Sequence, residues 1–322
     1  MSRRGWALFA LMSLLWGLPY LFIKVAVGSM SVPFLVSARG LLGAAMLLPF
    51  VDFGRHGAVL RRCWRPIVVL ALLEMVAPWA LLAHAETRLN SSTTGLLIAT
   101  APLVASLAAA AAPGGERLAR IRVLGLVAGF AGVAVLAGPR LHGDVVAVAE
   151  VLTTAVCWAV APLVVTRRLR DVPAVPLAAT CMLISGLSAL PLAVTRAPAG
   201  LPPPAALAAL AGLAAICTAL AFAAFFALVR EAGPSRTLVV TFVSPAVSVA
   251  AGAVVLGEPV GPGTIAALGL IVGGSVLATS GDRGARPADP PRASGRRRQT
   301  PIPAAAGRPA EYVHRPDKEP DR

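Results

Sequence analysis

Few side chains in this sequence can do chemistry, and most of them stand inside apolar runs. Glu74 lies in ALLEMVAPWALL, several residues into a hydrophobic stretch, and no basic residue stands at a similar depth in another stretch. An acid at that depth is costly as a charge and suits a group that carries protons. The plainer alternative is that Glu74 reaches loop arginines and anchors its helix. Arg39 and Glu150 occupy two other runs, at depths that match within about 3 Å at helical rise. They suit an ion pair or a clamp on a charged solute. These three residues are the expected coupling set.

The expected binding set is aromatic and helix-interrupting. Trp16, Tyr20, Trp79 and Trp158 can wall a cavity, or can simply pack. Pro102 and Pro245 cannot donate to the carbonyl one turn back, so each can leave a polar acceptor free. Thr100, Thr241 and Ser244 lie close enough to line the same gap. No His-Glu-x-x-His, phosphate-loop or Cys-x-x-Cys motif occurs. An enzyme is therefore not expected, nor a catalytic residue, a metal or a cofactor. Lys24 is expected to snorkel toward the interface, and His84 to be an ordinary interfacial residue close to Glu86.

The elements that must hold these residues are membrane helices. The chain has 322 residues, 57% of them hydrophobic, and a mean hydropathy of +0.77. The apolar residues come in blocks of about 20, the length that crosses a bilayer core. An all-α polytopic membrane protein with ten transmembrane helices follows. The spans run over about 5–27, 32–51, 67–88, 92–112, 121–138, 145–166, 175–195, 204–229, 236–256 and 262–280. The first run is too long for a signal h-region and reads as an uncleaved helix. Cys157, Cys181 and Cys217 fall inside runs, with Cys63 in a basic loop, so no disulfide framework is indicated.

The net charge of +14 is no sign of nucleic-acid binding, because most basic residues sit in short loops or the tail. One set of alternate loops holds Arg3 and Arg4, then Arg55, Arg61, Arg62 and Arg65, then Arg117, Arg120 and Arg122, then Arg167, Arg168 and Arg170, and finally Arg230 and Arg236. The other set holds only Arg88, Arg140 and Arg196. This asymmetry puts both termini in the cytoplasm of a plasma membrane. Richness in Ala, Gly, Pro and Arg points to a bacterial source. Residues 282–322 lack large apolar side chains and read as a disordered basic tail.

The chain is written twice. Residues 93–138 and 236–281 each hold an apolar run with a central proline, then Gly-Glu, then a glycine-rich run. Pro102 and Pro245 are 143 positions apart, whereas Glu116 and Glu258, like Trp16 and Trp158, are 142 apart. Residues 1–138 and 139–281 form two five-helix repeats. Five is odd, so the repeats cross the membrane in opposite senses, an arrangement typical of carriers that alternate between two related conformations. Glu116 and Glu258 are expected to receive loop N–H groups. Gly125-x-x-x-Gly129 and Gly269-x-x-x-Gly273 allow close helix approach, within the chain or in a homodimer.

WGLPYLFIK (Trp16 to Lys24), Arg39 and the two Pro…Gly-Glu segments together resemble an EamA-type carrier of the drug/metabolite transporter superfamily. The resemblance covers residues 5–281. It implies ten helices with cytoplasmic ends and movement of a small-molecule substrate, often an amino acid, across membrane lipid. A nucleotide-sugar or drug carrier of the same superfamily is the alternative within transport. A non-transporting membrane enzyme or scaffold is the alternative outside it. The Pro113-Gly114 insertion departs from the pattern and leaves the end of the fourth helix open.

Overall fold

A computed structural model describes residues 2–111, 119–137, 144–233, 237 and 239–279. No strand occurs among the described residues, and every regular element is helical. Lipid offers no hydrogen-bond partners, so an apolar run must satisfy its backbone within itself. Seven helices among the described residues are long and apolar enough to cross a membrane: Arg3–Val27, Val32–Phe50, Trp64–Ala85, Ser91–Ala108, Val145–Arg168, Ala174–Thr195 and Pro262–Thr279. Pro204–Thr218 and Val240–Leu256 are shorter apolar helices. The class is as expected, a multi-pass helical membrane protein, although length and composition reach seven spans rather than ten. The tail, Glu116 and Pro113-Gly114 lie outside the described residues.

Several spans are built from two pieces. Arg3–Gly17 (α1) and Pro19–Val27 (α2) divide at Leu18, and Pro19 opens the second piece, where its missing N–H costs nothing. Val32–Leu47 (α3) follows. The basic stretch read as a plain loop instead forms the helix Phe53–Arg62 (α4). Asp52 caps its start by accepting from Arg55 N at 3.0 Å, and Arg61 and Arg62 stand in its last turn, where the helix dipole favours cations.

Trp64–Ala71 (α5) and Ala77–Ala85 (α6) are joined by a π-helical turn, Leu72–Val76. Ser91–Ile98 (α7) and Ala101–Ala111 (α8) flank a break at Ala99–Thr100. Arg120–Ala137 (α9), Val145–Arg168 (α10) and Ala174–Thr195 (α11) are continuous. Pro204–Ala214 (α12) and Ala221–Ala232 (α13) enclose a second π-helical turn, Ala215–Leu220. Val240–Leu256 (α14) and Pro262–Thr279 (α15) complete the bundle. Leu72 and Ala215 are 143 positions apart, the repeat interval. The duplication therefore extends to a π turn in each half, a local distortion often found at functional sites.

The halves interlock. The most extensive helix pairings join one repeat to the other: α9 with α15, α3 with α11, α6 with α10, α7 with α14, and α2 with α12. Glycines set two of these seams. A Cβ on Gly40 would stand 2.6 Å from Gly186 N, and Ser37 Oγ donates to Gly186 O at 2.9 Å. Across the other seam, a Cβ on Gly125 would stand 2.7 Å from Gly274 O. Gly125 and Gly129 make the close approach expected of them, but Gly269 and Gly273 do not, since a Cβ on either meets nothing within 4 Å. Gly274 is the residue that meets the first motif, so the seam is shifted by one position.

Candidate functional site

The second π turn faces a cluster of buried polar side chains. Arg39 of α3 is only 8% exposed, and its guanidinium lies 4.0 Å from the ring centroid of Trp79 on α6. Its Nε has no hydrogen-bond partner, and no acid pairs with it among the described residues. Tyr20 of α2, itself buried, and Cys217 of the second π turn lie within electrostatic range of this cation. Thr218 lies against the same helix, near Gly43, and its hydroxyl donates to Leu213 O at 2.9 Å. A buried cation stacked on an indole with unused donor capacity is a place where an anionic group can dock.

The expected pairing of Arg39 with Glu150 is not made. Glu150 of α10 takes His84 Nδ1 instead, at 2.8 Å and 3.0 Å to its two oxygens. Matched depth on two helices was insufficient, because α10 packs on α6 and brings His84 to it first. Lys24 does not snorkel. Its ammonium turns inward and donates to Glu86 O and Leu89 O, both at 2.7 Å.

Glu74 sits in the first π turn and is half-buried, and its carboxylate has no hydrogen-bond partner among the described residues. Its backbone carbonyl explains Trp158. Pro78 stands four residues on and has no N–H to offer, so that carbonyl loses its helical donor. Trp158 Nε1, from the other repeat, supplies the bond at 3.0 Å. The matching Trp16 has no such carbonyl to serve. It stacks on Phe225 with centroids 5.7 Å apart. The two tryptophans thus share a sequence place and differ in role.

The prolines differ in the same way. Pro102 follows a real break, and the carbonyl of Ala99 within it accepts from Ser275 Oγ of the other repeat at 3.1 Å. Thr100 is fully buried and donates to Leu97 O at 2.7 Å. Pro245 lies inside the continuous α14, with Thr241 and Ser244 preceding it on that helix. The structure therefore gathers Tyr20, Arg39 and Trp79 at one place. It puts Thr100 and Pro102 at the α7–α8 break, and Thr241, Ser244 and Pro245 on α14.

Glu258 was read as a receiver of loop N–H groups, and it is a more specific device. It follows Gly257, which has φ +65° and ends α14 in the left-handed region that glycine tolerates. Its carboxylate accepts from Ser91 N at 2.7 Å, Ser91 Oγ at 2.9 Å, Ser92 N at 2.9 Å and Ser92 Oγ. One repeat thereby caps the first turn of a helix in the other. Burial raises the Glu258 pKa, but the bonds from Ser92 and Ser91 outweigh burial and leave it lowered.

Sequence reasoning placed Glu86 near the outer end of its run and gave it no role. It is the C-cap of α6, fully buried, and neither carboxyl oxygen has a hydrogen-bond partner among the described residues. A signal was available. Arg39, Glu74 and Glu86 have Cys181, Ile216 and Leu228 at an offset of 142, and Met182, Cys217 and Val229 at 143, so these three charges stand in one copy only.

Comparison with known proteins agrees with this architecture. The model of the EamA-like transporter family matches residues 3–138 and again 146–280. An uncharacterized transporter of Bacillus subtilis (strain 168), YvbV, is 28% identical over 275 residues, covering 82% of this chain and 88% of the relative. A solved crystal structure shares the fold with a TM-score of 0.62 at 24% identity, over 88% of this chain and 100% of that one.

Proposed function

The chain belongs to the EamA-like transporter family, and we propose that it is a secondary transporter exporting a small metabolite such as an amino acid, by alternating access. The Arg39–Trp79 pair carries the reading. A guanidinium held out of water, without an acid to neutralise it, is expensive as pure structure. It is useful when a carboxylate or similar anion arrives there as cargo. The pair stands where helices of both repeats meet, which is where rocking halves expose a site first to one side and then to the other. The helices of this reading number ten, counting the two shorter ones and α9, in two inverted sets of five.

Purified protein in proteoliposomes tests the activity directly. Counterflow of a labelled amino acid drawn from a panel is the expected result. Absence of flux across amino acids, nucleotide sugars and cationic drugs would remove the transport reading. Topology is tested separately. The excess of arginines in one set of loops favours cytoplasmic termini, which would turn the Glu258 end of the bundle outward. Cys63 is then expected to react with an impermeant thiol reagent only in inverted vesicles. Labelling of Cys63 from outside intact cells would reverse the orientation.

A further inference from the structure

The α6–α7 turn is tied down twice. Lys24 holds the carbonyls of Glu86 and Leu89, and Glu258 holds the backbone and hydroxyls of Ser91 and Ser92. Between these ties stands the Glu86 carboxyl, fully buried with both oxygens unbonded. The charged and titratable groups facing it are Lys24 and Tyr20 from α2, Arg39 from α3, and Glu258 at the end of α14. His84 and Glu150 lie nearby on α6 and α10, but they pair with each other.

The position of Lys24 is informative. Its ammonium already reaches the main chain of Glu86, yet it bonds that carbonyl and leaves the side-chain oxygens alone. An ionised carboxylate in a dry site would draw the nearest ammonium strongly. A buried charge without donors would also be hard to sustain. The observed arrangement fits the protonated, uncharged carboxyl.

We propose that Glu86 is a proton-binding site that locks the end of the bundle closed by Lys24 and Glu258. With a proton taken from water, Glu86 is neutral, and Lys24 is left to clamp the turn at Glu86 O and Leu89 O. When the proton returns to water, the new carboxylate competes for the Lys24 ammonium. The clamp on the turn is released, and repulsion between Glu86 and Glu258 loosens the second tie. Protonation therefore favours closure and deprotonation favours opening. On the topology proposed above, this end faces outward, so the ligand is a proton exchanged with the external water. Glu74 is a different kind of acid, since it is half-exposed and its turn is secured by the Trp158 bond to its carbonyl.

Thr93 is buried behind the clasp and can report on it as Thr93→Cys. The probe is an impermeant maleimide, applied to the full-length protein in detergent. Labelling at position 93 is located by mass spectrometry and normalised to the unfolded chain at each pH. Between about pH 5 and about pH 9 the normalised rate is expected to rise by about tenfold. Adding Glu86→Gln, the permanently neutral form, should hold labelling low at every pH. Adding Lys24→Met should leave it high at every pH, because the turn then lacks its clamp. If Glu86→Gln retains the pH response, or if Glu74→Gln abolishes it, the proposal is overturned. Should Glu86→Gln fail to fold, Lys24→Met decides alone, and a parent-like pH response in it refutes the switch. The assay requires no solute and no flux, so its outcome is independent of whether the transport reading holds.

Discussion

Replacing Arg39 with methionine is expected to abolish solute transport while leaving the protein at least as stable as the parent. The two effects have one cause. Arg39 is buried beside Trp79 and, among the described residues, has neither an acid partner nor a bond at Nε. A structural arginine so placed would bring desolvation cost with little return, and replacing a buried charge by an apolar side chain of similar volume is often neutral or stabilising. If the missing partner is an anionic group on the cargo, each charge-assisted bond contributes roughly 1.5–3 kcal/mol, or about 10- to 150-fold in affinity. Arg39→Lys should recover part of the activity, because the charge remains while the planar fork and the stack on Trp79 are lost. Counterflow and thermal unfolding of the same preparations check both halves. Parent-like transport by Arg39→Met would remove Arg39 from the site. Marked destabilisation with transport intact would make it a packing residue.

The fold was legible because membrane helices announce themselves through long apolar blocks and because the chain repeats itself. Residues whose role follows from type and local pattern were legible too. Glu258 receives N–H groups as its repeated Gly-Glu context suggested, and Trp79 lines the buried cluster. What sequence could not supply was which helix stands beside which. Glu150 has matched depth with Arg39 but packs beside His84. Lys24 looked like a snorkelling residue because its run ends soon after it, yet the α6–α7 turn offers it two carbonyls at 2.7 Å. The repeat also misled in one respect. Equal positions suggested equal roles for Trp16 and Trp158, but only Trp158 meets a carbonyl left open by a proline. The π turns were illegible for a related reason. They preserve ordinary helical composition, and an added residue in one turn leaves no mark on hydropathy.

Removing the Glu258 carboxylate is expected to lower stability by about 2 kcal/mol at neutral pH, after allowance for the partial exposure of the acid. Four donors on Ser91 and Ser92 converge on it, two of them first-turn N–H groups of α7 that have no intrahelical acceptor. A negative charge at a helix N-terminus is also favoured by the helix dipole. The pH dependence has a definite sign. Burial alone would raise the pKa, but the bonds from Ser92 and Ser91 leave it below the ordinary carboxylate value. A group depressed in the folded state contributes its full stability above the unfolded pKa and loses it as pH falls through the folded one. The clasp should therefore be intact at neutral pH and weaken only in acid, below the usual carboxylate range. Glu258→Gln should remove that acid limb from the thermal-unfolding profile, and Glu258→Ala should lower the whole neutral plateau. Gly252→Ala gives an independent reading. Its Cβ would press on Glu258 Oε2 and stand 2.5 Å from Ser92 Oγ and 2.8 Å from Ser91 Oγ, so it displaces the clasp while the acid stays in the sequence. Stability of Glu258→Ala equal to the parent's at neutral pH would mean that water replaces the carboxylate without loss. A large effect of Gly252→Ala beside a null effect of Glu258→Ala would assign the seam to helix packing alone.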